Sequence, residues 1–238
     1  MKINFENLTQ LEFKTNEAYK ALRTNISFIG DDVKAISITS SQPNEGKSEV
    51  AFRLACSMAE DGKRVLFVDA DIRKSVTVTR YGVDKETEGL SHYLAGKSKL
   101  EDVIYTTNVD NLDIIFTGKV APNPAELLGN KRFEDLLTTA KEIYDYIIID
   151  CPPLGQVIDA AIVSKKCDGA LIVVEAGNVS YKAAQNVKKQ LESSGVRILG
   201  AVLNKIEAAG KGYGKGYYGK GYYGYGYGYG YGEQKDKK

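Results

Sequence analysis

The segment "KAISITSSQPNEGKSEV", residues 34–50, decides the fold of this chain. It opens with an apolar run that predicts a strand at 34–39, and a helical pattern follows over about 48–61, closed by Gly62. Between the two, Ser41–Ser48 matches the phosphate-loop pattern G-x-x-x-x-G-K-[ST], except that serine replaces the first glycine. A chance G-K-S is the plain alternative, but the preceding strand and the following helix favour a nucleotide site.

Each retained position of this loop has a chemical reason. Gly46 lets backbone amides close around a β-phosphate, Lys47 places a cation between the β and γ oxygens, and the Ser48 hydroxyl can ligate Mg²⁺. The positive end of the following helix would point at the same anion. We therefore expect ATP to bind at Ser41, Gln42, Pro43, Asn44, Glu45, Gly46, Lys47, Ser48 and Glu49.

Outward from the loop, strand and helix patterns alternate between residues 16 and 204. This alternation predicts a doubly wound, mostly parallel sheet with helices on both faces, and with the phosphate loop it predicts a P-loop NTPase fold. Asn16 is the predicted N-cap of the first helix. The other strands are predicted at 64–69, 112–116, 146–150, 169–174 and 197–204, and helices notably at 130–143 and 180–194.

Three carboxylates follow the ends of predicted strands. Asp69 and Asp71 come at and just past the end of the strand at 64–69, and Asp150 ends the strand at 146–150. Each could be an ordinary turn residue. Because ligands in open α/β sheets bind outside the carboxyl ends of strands, we expect all three to converge on the phosphate loop. Carboxylates beside a triphosphate need a divalent cation between them, and Mg²⁺ suits these oxygen ligands.

Composition excludes several other classes of function. The chain has one histidine and three widely spaced cysteines, which argues against a two-histidine metal site and against Ser-His or Cys-His catalysis. The formal net charge of +1 is no indication of a nucleic-acid partner. The N-terminus has no apolar signal core, and no apolar run approaches membrane-spanning length, so we expect a cytoplasmic protein.

The composition changes abruptly at Gly210. Residues 210–232 contain nine tyrosines, eleven glycines and three lysines, and nothing else. Such a stretch cannot offset its ordering entropy, so we predict a folded domain at 1–209 and a flexible tail at 210–238. Alone, the tail would suggest an adhesive, phase-separating segment or a single-stranded nucleic-acid binder.

Taken together, these motifs resemble bacterial tyrosine kinases of the BY-kinase type, which serve capsular and exocellular polysaccharide synthesis. The resemblance covers about 16–232. The related partition and cell-division ATPases usually carry a lysine where this chain has Gln42, so the kinase interpretation is favoured. The matching segments are "SSQPNEGKS", "VLFVDADIR", "IIIDCPP", "PNPAELL" at 122–128 and the tyrosine-rich C-terminus.

The resemblance implies a role for each site residue. Lys47 would stabilise the transferring γ-phosphoryl group, Asp69 would orient or deprotonate the tyrosine hydroxyl, and Arg73 would contact phosphate or a neighbouring subunit. Asn204, at the end of the last strand, would read adenine. The residues expected to hold Mg²⁺ are Ser48, Asp71 and Asp150. The tail tyrosines expected to accept phosphate are Tyr213, Tyr217, Tyr218, Tyr222, Tyr223, Tyr225, Tyr227, Tyr229 and Tyr231.

The resemblance also implies partners. Glu17, Lys20 and Arg23 stand where the family has its helical oligomerisation motif E-x-x-R-x-x-R, with lysine in place of the first arginine, and a homo-oligomeric ring is expected. A transmembrane polysaccharide co-polymerase would activate the kinase through its cytoplasmic tail and hold it at the inner face of the membrane. A phosphotyrosine phosphatase is a further expected partner, and nucleic acid is not. The alternatives are a partition or assembly ATPase with an adhesive tail and a non-catalytic scaffold.

Overall fold

The computed structural model describes residues 2–6, 8–74 and 87–206. The predicted boundary at 209/210 and all nine tail tyrosines lie outside these residues. The strands are β1 (Lys2–Ile3), β2 (Ala35–Ser40), β3 (Val65–Asp69), β4 (Tyr105–Thr107), β5 (Leu112–Ile115), β6 (Tyr146–Asp150), β7 (Gly169–Glu175) and β8 (Ile198–Asn204). The helices are α1 (Phe13–Ser27), α2 (Lys47–Glu60), α3 (Leu90–Leu94), α4 (Leu100–Val103), α5 (Pro124–Gly129), α6 (Lys131–Ile143), α7 (Asp159–Ser164) and α8 (Tyr181–Ser193).

The eight strands form one sheet in the order β1-β4-β5-β3-β6-β2-β7-β8. Neighbouring strands are parallel except for the antiparallel pair β4 and β5. Because strands β3, β6, β2 and β7 run parallel to one another, their carboxyl ends meet at one edge of the sheet. The prediction of a doubly wound, mostly parallel sheet is confirmed.

Alternating side chains of the central strands feed two separate hydrophobic clusters. Along β6, Ile147 and Ile149 belong to one cluster, whereas Ile148 belongs to the other. All six residues of β2 are buried, as expected of a strand covered on both faces. Helices α1 and α2 pack on the face of Ile148, and α6 and α7 pack on the opposite face.

Local signals set several helix ends as predicted. Ser180 caps α8 by accepting a hydrogen bond from the Ala183 amide. Gly62 follows α2 with a φ of +80°, the left-handed conformation that favours glycine after a helix. These two residues mark the start of α8 and the end of α2.

One cap prediction is wrong, and several short elements are absent from the sequence-based assignment. Helix α1 begins at Phe13 rather than after Asn16, because the Asn16 amide already donates to the Glu12 carbonyl inside the first turn. Strands β1 and β4 and helices α3, α4, α5 and α7 are two to six residues long. Segments of that length carry too few repeats for hydrophobic periodicity to show. None of the helices in the described ranges combines the length and apolar character that crossing a bilayer requires.

Candidate active site

A cavity of about 620 Å³ opens at the carboxyl edge of the sheet, beside the start of α2. Its wall combines the phosphate loop, the turn after β3, the turn after β6 and the end of β8. The lining residues are Pro43, Asn44, Gly46, Lys47, Ser48, Glu49, Asp71, Arg73, Lys74, Pro152, Pro153, Gln156, Val157, Asn204 and Lys205. Most of the predicted nucleotide-binding residues are therefore brought together.

Gly46 is the N-cap of α2 and has a φ of +87°. A β-carbon at this position would collide with the side-chain amide of Asn204, so both backbone conformation and space require glycine. Asn44 also has a left-handed backbone, with a φ of +68°. The loop thus closes tightly over the first turn of α2, where free amides can meet an anion.

Three predicted loop residues, Ser41, Gln42 and Glu45, do not line the cavity. The Glu45 side chain is buried and accepts hydrogen bonds from the backbone amides of Gln42 and Glu175. Burial raises the pKa of Glu45 even though these hydrogen bonds lower it. Glu45 therefore braces the loop from inside, and its predicted part in nucleotide binding reduces to its backbone.

Lys47 is the buried cation of the site. Its Nζ lies 3.5 Å from Asp150 Oδ1, 3.8 Å from Asp71 Oδ2 and 3.1 Å from Ser48 Oγ. Burial lowers the pKa of Lys47, but the negative charges of Asp150, Asp71 and Asp69 raise it by more, and the net shift is upward. Lys47 is consequently held as a cation beside the loop.

One lysine does not satisfy the carboxylates around it. Asp150 is 1% exposed, and its Oδ2 atom has no hydrogen-bond partner within the described part of the chain. Burial raises the pKa of Asp71 and the charge of Asp150 raises it further, although Lys47 opposes both. An orphaned buried carboxylate oxygen beside a hydroxyl and a second carboxylate fits a divalent cation.

Mg²⁺ would need oxygen ligands from both the protein and a bound nucleotide. Among the described residues, no group of three histidine, cysteine, aspartate or glutamate side chains could hold a metal ion. Two carboxylates and the Ser48 hydroxyl leave an octahedral ion in need of further oxygens. A triphosphate in the loop would supply them, so Mg²⁺ and nucleotide would bind together.

Asp69 does not face the cavity. It is 1% exposed, and its Oδ1 accepts a hydrogen bond of 3.2 Å from the Asp71 amide. Asp71, with a side chain 14% exposed, is the member of the pair that lines the cavity wall. Asp69 is thus buried at the end of β3, and its expected contact with the tyrosine hydroxyl stays a prediction.

Arg73 lines the cavity and is fixed by a partner that sequence reasoning missed. Its Nε and Nη2 donate to the two carboxylate oxygens of Asp159, at 2.7 and 2.9 Å. Asp159 begins α7 and is fully buried, and its hydrogen bond raises the pKa of Arg73. The predicted contact of Arg73 with phosphate thus has a preset direction, since a two-point pair orients the guanidinium plane.

Asn204 lines the cavity, but its side-chain amide bonds to the phosphate loop, and its expected contact with adenine stays a prediction. Its Nδ2 donates to the Glu45 carbonyl at 2.9 Å. The next residue, Lys205, donates from Nζ to the Asn44 carbonyl and pairs with Glu175 at 3.1 Å. Sequence reasoning missed Lys205 and Glu175, because nothing in the order of residues shows that the end of β8 lies beside the loop.

The predicted oligomerisation residues have partners within the chain. Lys20 pairs with Glu17 at 2.7 Å on the exposed face of α1. Arg23 instead bridges to α2, where it donates to the Ser57 carbonyl at 2.6 Å and to Asp61 at 2.8 Å. Arg23 is therefore committed to helix packing in this chain, and the ring remains a prediction.

Comparison with known proteins agrees with this geometry. A family model described as an AAA domain matches residues 33–198. Tyrosine-protein kinase CpsD of Streptococcus agalactiae is 43% identical over 208 residues, which cover 87% of this chain and 91% of that protein. The kinase domain of Escherichia coli tyrosine kinase ETK superposes with a TM-score of 0.78 at 37% identity, covering 85% and 80% of the two chains. The chain belongs to the bacterial tyrosine kinase family.

The kinase fold extends to ATPases, as the sequence predicts. The septum site-determining protein MinD of Pyrococcus horikoshii, solved in complex with Mg-ADP, superposes with a TM-score of 0.64 at 30% identity and covers 74% of this bacterial tyrosine kinase and 72% of its own chain. The predictions of family, fold and enzyme class, a protein-tyrosine kinase, are confirmed. The alternative, a partition or assembly ATPase, is supported here only as a relative in fold.

Proposed function

We propose that this bacterial tyrosine kinase is an autokinase that transfers the γ-phosphate of ATP to the nine tyrosines of its own tail. The observation that carries the proposal is the buried Lys47 between Asp71 and Asp150, beside the phosphate loop, where one Asp150 oxygen has no partner among the described residues. That arrangement suits a bound triphosphate and its cation better than it suits the empty protein.

In this mechanism the protein contributes position and charge. The loop amides and Lys47 hold the β- and γ-phosphates, and Arg73, oriented by Asp159, faces the same cavity. The tyrosine oxygen forms a bond to the γ-phosphorus while the bond to the β–γ bridging oxygen breaks, and ADP leaves. Mg²⁺, held by Ser48, Asp71 and Asp150, would neutralise charge that develops on the phosphate oxygens.

The acceptor hydroxyl needs a base, because a phenol with a pKa near 10 is a poor nucleophile at neutral pH. We assign this role to Asp69, because Asp71 would be occupied by Mg²⁺. Asp69 ends β3 and accepts a hydrogen bond from the Asp71 amide, next to the cavity wall that Asp71 lines. The proton of the incoming tyrosine passes to Asp69, directly or through one water molecule, as the new bond forms.

The tail is the proposed substrate because tethering brings its tyrosines to a local concentration of about millimolar. Each phosphate would add about −1.5 to −2 charges to a segment that otherwise carries lysines. We further propose that a ring-shaped homo-oligomer presents tails to neighbouring sites. A transmembrane polysaccharide co-polymerase would activate it at the membrane, a phosphatase would reverse it, and the cycle would regulate exopolysaccharide or capsule synthesis.

The test is a mixing assay in which enzyme and substrate are separate full-length chains. The enzyme carries phenylalanine at all nine tail tyrosines, and the substrate carries Lys47→Met with an intact tail. With Mg·ATP and the cytoplasmic peptide of the co-polymerase, phosphotyrosine should appear on the Lys47→Met chain. Mass spectrometry of the tail then identifies the tyrosines that are used.

A matched control is Lys141→Met, which removes a partly buried, ion-paired lysine at the opposite edge of the sheet. An intact-tail chain with Lys141→Met should phosphorylate itself at nearly the wild-type rate. ATP hydrolysis without phosphotyrosine in any mixture would instead support the partition or assembly ATPase and remove the autokinase. Equal activity with and without the co-polymerase peptide would remove the regulatory partner alone.

A further inference from the structure

We propose that Lys205 is a positioning residue for nucleotide binding, which fastens the phosphate loop to the ends of β7 and β8. The inference rests on the proposed nucleotide site but concerns a residue outside its motifs. Lys205 directly follows β8 and lines the cavity. Its role would be to hold the loop in the conformation that receives phosphate.

Four contacts connect the phosphate loop, the end of β7 and the end of β8. Lys205 Nζ donates to the Asn44 carbonyl at 2.5 Å and pairs with Glu175 at 3.1 Å. Asn204 Nδ2 donates to the next carbonyl, that of Glu45, at 2.9 Å. The Glu175 amide in turn donates to the Glu45 carboxylate at 3.3 Å. Two successive loop carbonyls are therefore tied to the end of β8.

These ties set the direction of the loop amides. In a trans peptide the carbonyl of one residue and the amide of the next point in opposite directions. Holding the carbonyls of Asn44 and Glu45 toward β8 therefore turns the amides of Glu45 and Gly46 the other way. Backbone amides of this loop are the groups that cradle the phosphates in the pattern G-x-x-x-x-G-K-[ST].

Backbone strain on both sides of the bond supports a functional role. Lys205 has a φ of +56°, and its acceptor residue Asn44 has a φ of +68°. A left-handed backbone is costly for lysine, which has no local side-chain hydrogen bond to favour it as asparagine can. A strained residue persists where its surroundings hold it, and here the Lys205 side chain contacts the phosphate loop at Asn44 and the end of β7 at Glu175.

The experiment is a fluorescence titration of full-length protein with Mg·ADP, combined with ATP-dependent steady-state kinetics. Lys205→Met should weaken Mg·ADP binding and raise KM for ATP by about 5- to 20-fold, the loss expected for a charge-assisted hydrogen bond. The rate at saturating ATP should stay within about twofold, because the reacting groups are unchanged. Lys205→Arg should restore most of the affinity.

Two variants separate positioning from folding. Glu175→Gln removes the ion pair that steers Lys205 and should weaken binding in the same direction by a smaller factor. Arg197→Met removes an exposed ion pair with Asp32 next to the first residue of the same strand and should leave affinity unchanged. A fall in kcat with unchanged KM, or equal losses in Arg197→Met and Lys205→Met, would overturn the role of Lys205.

The inference and the proposed function fail in different ways. If the wild-type chain binds no Mg·ADP, the nucleotide site itself is refuted. If the wild-type chain binds Mg·ADP and Lys205→Met binds it equally well, the site stands and only the positioning role is refuted.

Discussion

Asp168 and Asp71 lie at opposite edges of the same sheet, one before strand β7 and the other after strand β3, and have opposite pKa shifts. Asp168 precedes β7 and accepts hydrogen bonds from the Lys34 amide at 3.0 Å, the Ala35 amide at 2.8 Å and Lys141 Nζ at 2.6 Å. Burial raises the pKa of Asp168, but these donors together lower it by more, and the net shift is downward.

Asp71 is the reverse case at the carboxyl edge. Its cationic neighbour Lys47 stands 3.8 Å away and is shared with Asp150. Burial and the Asp150 charge therefore leave the pKa of Asp71 raised. The comparison teaches that Asp168 receives its donors from the fold, whereas Asp71 shares its lysine with Asp150 and keeps a raised pKa. A carboxylate in that state is consistent with the proposed role of Asp71 in binding a cation.

The largest expected effect comes from exchanging each carboxylate for its neutral isostere. Asp71→Asn should reduce autophosphorylation by about 100-fold or more, the cost of losing a preorganised charge at a reacting centre. Its thermal stability should equal or exceed that of the wild type, since a buried carboxylate with a raised pKa disfavours the folded state. Phosphotyrosine blotting and circular dichroism melting measure the two properties.

Asp168→Asn should show the opposite pattern. It loses a charge that three donors stabilise, so the free energy of unfolding should fall by about 1–2 kcal/mol after allowance for solvent screening. The rate of transfer should stay within about twofold at a temperature where the chain is folded. If Asp71→Asn melts far below the wild type, or Asp168→Asn loses activity first, the division between the two ends of the sheet is wrong.

The sequence alone predicts more about the carboxyl edge of the sheet, where Asp71 lies, than about the opposite edge, where Asp168 lies. The strand–loop–helix order at 34–50 predicts the phosphate site, and the positions of Asp69, Asp71 and Asp150 at strand ends predict the acidic cluster. These inferences succeed because parallel strands bring their carboxyl ends to one edge whatever the lengths of the connections. Asp168 offers no comparable signal, since its partners come from two distant parts of the chain, residues 34–35 and Lys141.

The same reasoning explains what the sequence could not show. Which of Asp69 and Asp71 faces the cavity depends on how the turn after β3 closes, and both aspartates fit the same motif. Asp159 and Lys205 act across the fold, through contacts spanning 86 and 161 residues of sequence. Without an alignment, neither pairing can be inferred from spacing, because tertiary packing alone brings those segments together.

The ion pair of Arg73 and Asp159 combines features of both aspartates, and its disruption should have a moderate effect on the transfer rate. Asp159 lies at the ligand end but, like Asp168, is fully provided with donors. Asp159→Asn should lower stability as Asp168→Asn does, and should also reduce transfer by about tenfold by releasing Arg73. Arg73→Lys, which keeps the charge without the two-point contact, should give a similar rate.

The measurement for this pair is the rate at saturating ATP together with the melting temperature of each variant. A full rate in Asp159→Asn, with lowered stability, would place the pair on the structural side of the comparison. Arg73 would then be excluded from the transfer step, although it lines the cavity.

The smallest expected effect is the pH dependence of stability, whose sign differs between the two aspartates. Asp71 has a raised pKa when folded, so the folded chain binds more protons than the unfolded chain from about pH 4 up to that raised value. Rising pH through this window therefore removes stability from the wild type that Asp71→Asn does not lose. For Asp168, with a lowered pKa when folded, stability is instead lost as pH falls from about 4 toward that lower value.

Urea unfolding of the wild type and both variants across this range measures these effects. The difference in unfolding free energy between the wild type and each variant should change with pH in opposite directions for Asp71→Asn and Asp168→Asn. Saturating Mg·ADP should remove only the pH dependence that Asp71 contributes, because the bound cation supplies the positive charge that Asp71 otherwise lacks. The same pH dependence of the unfolding free energy in both variants, unaffected by Mg·ADP, would contradict the proposed difference in role between the two carboxylates.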